Sequence, residues 1–239
     1  MALPEVQIPS FMTTLPSNGK KISYRPFTVK EEKALLMAIQ EEDKENLYNV
    51  IMNVIDNCVK SKDFKSSKIA IYDVVHLITK IRTKSIGSKQ TISFIDEEDG
   101  EEYTIEIDFD AFEVQKDENR QYIITLDADK KLVMRDPTIP DMIRVENMEG
   151  NNYEKTMKMV SLCADKLLIG EDDVMDMNDE TEETKSAWFE KMPSDLRQKL
   201  MEFVVNVPTM SHQIEYEKKN GSKGYKSLDG NSIGFFSSF

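Results

Sequence analysis

Pro16-Ser17-Asn18-Gly19-Lys20-Lys21-Ile22-Ser23-Tyr24-Arg25-Pro26-Phe27-Thr28-Val29-Lys30-Glu31-Glu32-Lys33-Ala34-Leu35-Leu36-Met37-Ala38 contains a turn, a strand and a helix start in direct succession. Asn18-Gly19 tolerates the positive φ angles of a tight hairpin, and Ile22 and Tyr24 alternate with Lys21 and Ser23 as a one-sided strand does. Pro26 keeps Arg25 extended and ends the ladder. Thr28 and Glu31 then have the spacing of a capping box, followed by a helix that turns Leu35, Leu36 and Ala38 inward. Phe27, just before the cap, is placed to act as a hydrophobic staple.

Working outward, Phe11 to Leu15 supplies the other arm of the hairpin. Asp43 is a natural N-cap for a second helix, in which Leu47, Ile51, Val54, Ile55 and Cys58 keep an amphipathic period. A third helix is outlined by Ile71, Val74, Val75, Ile78 and Ile81. The period changes to two from Gln90. Ile92 and Phe94 alternate, Asp96 to Gly100 makes a turn, and Tyr103, Ile105, Ile107 and Phe109 return. A second hairpin is expected around Ala128-Asp129-Lys130.

Pro137 and Pro140 read as breaks, and Asn151 or Asn152 as the cap of a helix running to Gly170. Glu171 to Thr184 is nearly all acidic, with Val174, Met175 and Met177 its apolar residues, and is expected to be a mobile loop. A further helix begins at Ser194, and the tail from His212 forms a hairpin about Asn220-Gly221. No internal repeat is visible. These readings predict an α+β fold: a mainly helical core with an N-terminal hairpin, a small central antiparallel sheet and a C-terminal hairpin. The expected regions are 1–88, an antiparallel insertion over 89–136, and a helical region over 137–239.

The run Leu15 to Lys21, then Tyr24-Arg25-Pro26-Phe27, then Val29 to Ala38 resembles the signature of the T4-type bacteriophage baseplate family. The helix ending in Arg82 to Gly87, and the Phe235-Phe236 pair after Gly234, are similar to that family at lower specificity. The resemblance implies a non-enzymatic tail protein acting in baseplate hub assembly, either as a hub subunit or as an assembly factor or chaperone. It also implies other hub or tail proteins as partners and the host cytoplasm as the place of assembly.

Composition agrees with a protein-binding role. A net charge of −13 disfavours nonspecific nucleic-acid binding, which needs Lys and Arg to displace counterions from phosphates. The complementary partner has a basic or exposed apolar surface. No run of residues reaches the length of a membrane span. Two histidines and two distant cysteines lack zinc-ligand spacing, EF-hand and phosphate-loop patterns are absent, and no cofactor is expected. Cys58 and Cys163 read as buried thiols, and His76 as a hydrogen-bonded histidine in a helix. The competing readings are a hydrolase using Asp108 and Asp110, two apart on a strand, or a stand-alone acidic regulatory module. Candidate partner contacts are Tyr24, Arg25 and Phe27 at the corner, Met175 and Met177 in the acidic stretch, and Phe235 and Phe236.

Overall fold

The computed structural model describes residues 6–41 and 43–229. They divide into two units, one made of residues up to 115 and from 209 onward, the other of residues 116–208. The division falls inside the span 89–136.

The first unit begins with β1 (Phe11–Thr14) and β2 (Lys21–Tyr24), paired antiparallel with Thr13 opposite Ile22. Gly19 at φ 72° closes their turn. Then come α1 (Val29–Gln40), α2 (Lys44–Cys58) and α3 (Ile71–Ile86). Asp43 caps α2 by accepting from the Asn46 amide at 3.1 Å. The apolar period seen in the sequence is the buried face: Leu47, Ile51, Val54, Ile55 and Cys58 from α2 and Ile71, Val74, Val75, Leu77, Ile78 and Ile81 from α3. Asp73, fully buried in α3, accepts from the Ser17 amide (2.9 Å) and hydroxyl (2.5 Å), which fastens the hairpin turn to the helix. The hairpin of β3 (Lys89–Ile95) and β4 (Glu102–Asp108) follows, and then β5 (Glu113–Gln115), which belongs to another sheet.

The second unit repeats the plan of hairpin and helices. β6 (Ile123–Thr125) pairs with β7 (Lys130–Met134), and α4 (Ile139–Glu146) and α5 (Asn152–Cys163) follow. Pro140 lies in the first turn of α4, where its missing N–H has no helical partner to lose, so it helps begin a helix at the predicted break. α5 ends at Cys163, before Gly170. Ala164 to Ile169 is instead strand β8 (Ala164–Ile169), between β7 and β9 (Asp173–Asp176) in a sheet ordered β6-β7-β8-β9. The short apolar run Leu167-Leu168-Ile169 suits either period, and ladder bonds on both sides decide it.

Gly170, at φ 64°, turns β8 into β9, so the expected mobile loop is ordered. Val174 pairs with Leu168 and Met175 with Leu167. Met177 is 3 % exposed in a core with Leu132, Val160, Phe189 and Leu200. The acidic side chains point outward while the backbone pairs, so a composition typical of disorder coexists with a ladder and one apolar anchor. α6 (Glu182–Glu190), capped by Thr181, and α7 (Ser194–Val205) complete the unit.

The chain then returns to the first unit with β10 (Thr209–Glu217) and β11 (Lys223–Asp229), in the sheet order β11-β10-β5. The fold is mixed α+β. The predicted mainly helical core is shared with four small antiparallel sheets among the described residues.

Candidate functional site

Arg25 leaves β2 at the corner that the sequence singled out. Its guanidinium donates to both oxygens of Glu31, at 2.9 and 2.7 Å, to the Pro26 carbonyl at 2.9 Å and to the Asn57 carbonyl at 3.2 Å. Its amide donates to the Cys58 carbonyl at 3.0 Å. Glu31 in turn accepts from the Thr28 amide and hydroxyl, at 2.7 and 3.0 Å, as the capping box requires. One side chain thus joins the strand, the head of α1 and the tail of α2. The Arg25 and Glu31 side chains are 19 % and 12 % exposed, and the fork-on-fork geometry is a strong form of ion pair.

Arg135 does the same in the second unit. It donates to both oxygens of Asp141 at 2.6 and 3.1 Å, to the Asp136 carbonyl at 3.1 Å and to the Leu162 carbonyl at 2.8 Å. Its amide donates to the Cys163 carbonyl at 2.8 Å, and Asp141 accepts from the Thr138 amide and hydroxyl at 2.9 and 2.7 Å. Arg25, Thr28, Glu31 and Cys58 therefore correspond to Arg135, Thr138, Asp141 and Cys163. The bridge Tyr24 to Val59 corresponds to the pair Met134 to Ala164. An internal structural repeat is present where none was visible in the sequence. Its signal in the sequence is a handful of scattered matched positions, four of them at these corners.

Electrostatics follow the geometry. Burial alone would raise the Glu31 and Asp141 carboxyls, but the arginine and threonine hydrogen bonds and the arginine charge together hold both below their ordinary values. Burial pushes the Cys58 and Cys163 thiols up to about 12, so both are protonated at neutral pH. His76 is pushed down to about 4, chiefly by burial and then by the Lys80 charge, and its Nε2 lies 2.8 Å from Thr13 Oγ1.

A second polar cluster joins the β3–β4 turn to β10. Lys218 meets Asp96 at 2.8 Å and Glu98 at 2.5 Å, and the Tyr216 hydroxyl donates to Asp96. The bonds from Lys218 and then Tyr216 hold the Asp96 carboxyl far below its usual range, and Tyr216 is pushed up to about 12. Every charge in this cluster has a partner within it.

A concavity with a volume of about 580 Å³ lies in the second unit, between α5 and α6. Tyr153 and Met157, one turn apart on α5, line it with Met148 and with Phe189 of α6, which is only 2 % exposed and belongs mainly to the core. Glu149, Glu154, Glu182, Glu183 and Glu190 surround these groups against only Lys158 and Arg197. Lys158 is already paired with Glu182, and Arg197 lies 5.9 Å from the Tyr153 ring. A smaller recess of about 320 Å³ lies beside Arg120, whose guanidinium is held by Asp136 at 2.7 Å and by the carbonyls of Phe203 and Asn206 at the end of α7.

A family model described as T4 bacteriophage base plate protein matches residues 8–232. The chain belongs to that family. No curated protein and no solved structure was found to match it.

The residues expected to meet partners are scattered over this base plate protein. Tyr24 and Met177 are buried and offer no surface. Arg25 is taken up by the bonds within its own corner. Phe27 is half-buried, and the residue one turn on that would complete a staple is the polar Glu32. Met175 is exposed on β9, the edge of its sheet, beside the exposed Val174. Phe235 and Phe236 lie outside the described residues. Asp108 accepts from the Asp110 amide, which holds its carboxyl low, while Asp110 pairs with Lys80 at 3.3 Å. Among the described residues no group of three or more His, Cys, Asp or Glu could hold a metal ion, and no helix is long and apolar enough to cross a membrane. Sequence reasoning missed Arg135, Asp141 and the α5–α6 groove. The available signal was Arg-x-x-Thr-x-x-acid, present at both Arg25 and Arg135.

Proposed function

We propose that this base plate protein acts without catalysis in the assembly of the baseplate hub, as an assembly factor or chaperone or as a hub subunit, working in the host cytoplasm. The family match over residues 8–232 carries the reading. Exposed apolar side chains at a sheet edge, Val174 and Met175, and an acidic surface add support, since such features suit contact with other tail proteins that bring basic or apolar surface. The test is a phage in which the gene carries an early stop codon. Infected cells should accumulate tail precursors without completed hubs, and supplying the protein in trans should restore them. Mass spectrometry of purified wild-type particles separates the two roles, because a subunit is retained and an assembly factor is absent. Normal hubs without the protein overturn the proposal.

A further inference from the structure

We propose that the groove between α5 and α6 seats a basic amphipathic helix of a base plate partner. The inference rests on the assembly reading above and names the site and the chemistry of the contact.

The internal repeat supplies the first argument. Counting back from the matched cysteines, Tyr48, Met52 and Asp56 of α2 correspond to Tyr153, Met157 and Ser161 of α5. In the first unit the chain itself covers this face: Ser66, leading into α3, donates to Asp56 at 2.7 Å and to the Met52 carbonyl at 3.1 Å, and Tyr48 is 2 % exposed. In the second unit α6 reaches only part of it. Lys185 of α6 donates to the Ser161 carbonyl at 3.3 Å, but Tyr153 is 49 % exposed. The difference lies at the tyrosine end of the face: Met52 and Met157 are both half-buried and Ser161 is buried, but Tyr48 is covered where Tyr153 is open.

Shape and charge then select the occupant. Two helices whose facing side chains recur every three or four residues form a ridged trough that accepts a third helix. The apolar lining calls for an apolar stripe on that helix. Among the lining residues five glutamates stand against two cations, and although Arg144 and Lys185 also act on Glu182, the lining keeps an acidic excess that Lys or Arg beside the stripe would pair with. An acidic or uncharged helix leaves those charges facing a drier surface without partners.

The probe is a fluorescein-labelled peptide of about 16 residues in which leucines occupy one helical face and lysines the other, compared with a scrambled peptide of identical composition. With the full chain, the amphipathic peptide should bind at least about tenfold tighter than the scrambled one, more weakly as salt rises. It should slow amide exchange in residues 153–163 and 182–190, a readout on the unaltered protein. The triple variant Glu149→Gln, Glu183→Gln, Glu190→Gln should lose about tenfold in affinity with an unchanged melting temperature. Equal binding of the two peptides, or protection outside these helices, overturns the proposal.

A second arm compares tagged wild type and triple variant recovered from infected cells. Loss of a base plate protein from the variant supports the groove. Equal capture overturns it and leaves the assembly reading standing. Failure of the wild type to capture any base plate protein overturns the assembly reading instead.

Discussion

Tyr48 and Tyr153 occupy the same place in two copies of one motif, and one is buried while the other is half-exposed. Both helices end in a cysteine whose carbonyl receives the amide of a corner arginine, and both corners use a threonine and a carboxylate to begin the preceding helix. The corner therefore specifies how a hairpin enters a helix pair, and says nothing about what covers the pair. That is left to the chain that follows. In the first unit Ser66 and α3 lie against α2, while in the second two strands intervene before the shorter α6 arrives. A repeated scaffold with unequal cover is a direct route to a binding groove, because the tyrosine end of the face, covered in one copy, stays available for a partner in the other.

The sharpest way to break the equivalence is Tyr48→Ala. A buried aromatic removed from a packed helix face costs about 4 kcal/mol, so urea denaturation should show a large loss of stability. The corners come next. Arg25→Ala and Arg135→Ala each leave a nearly buried carboxylate without its bidentate partner and should each cost on the order of 3 kcal/mol, measured the same way. Lysine should not rescue either position, since a single ammonium cannot reproduce the fork. A cost at one corner several times that at the other shows that the two motifs share geometry without sharing energetics.

Much of the fold was legible because local chemistry decided it. Asn18-Gly19, the Thr28 and Glu31 box, the α2 period and the Asn220-Gly221 turn act within a few residues, and the structure places each where the pattern does. The misreadings lie where long-range pairing outweighs local pattern. Ala164 to Ile169 extends a helical period yet becomes a strand because β7 and β9 flank it. Glu171 to Thr184 has the composition of a disordered segment yet is held by a ladder and by Met177. The groove was illegible for the same reason: α5 and α6 are far apart in sequence, and nothing in either helix alone reveals that α6 leaves Tyr153 exposed.

Met177 tests that lesson. Met177→Ala should cost about 3 kcal/mol in thermal or urea unfolding, as other large-to-small core changes do, and deletion of residues 172–183 should abolish the cooperative unfolding of residues 116–208. Retention of wild-type stability returns the segment to the status of a dispensable loop.

A smaller effect is expected from acid. His76 has a folded-state pKa of about 4 against an ordinary 6.5, so the unfolded chain takes up the proton first. Its contribution is complete above pH 6.5 and disappears as pH falls toward 4, a loss on the order of 2 to 3 kcal/mol. Glu31 and Asp141, with lowered carboxyl values, add a further loss only below the ordinary carboxylate range. Stability measured across this range should fall in two stages, and His76→Gln should remove the first. This device has no counterpart at the Arg135 corner and so marks a difference between the units.

The smallest effect on stability is also the most informative about the comparison. Tyr153 is 49 % exposed, so Tyr153→Ala removes little buried area and should change the unfolding free energy by no more than about 0.5 kcal/mol. If the open face is a seat, the same substitution should weaken the leucine–lysine peptide several-fold, because an exposed aromatic ring in the lining of the groove supplies contact area that alanine cannot. The substitution therefore separates folding from binding at one position, where Tyr48→Ala cannot. A loss of stability as large as that of Tyr48→Ala shows that Tyr153 is a packing residue despite its exposure, and removes the argument that the second unit keeps this face open for a partner.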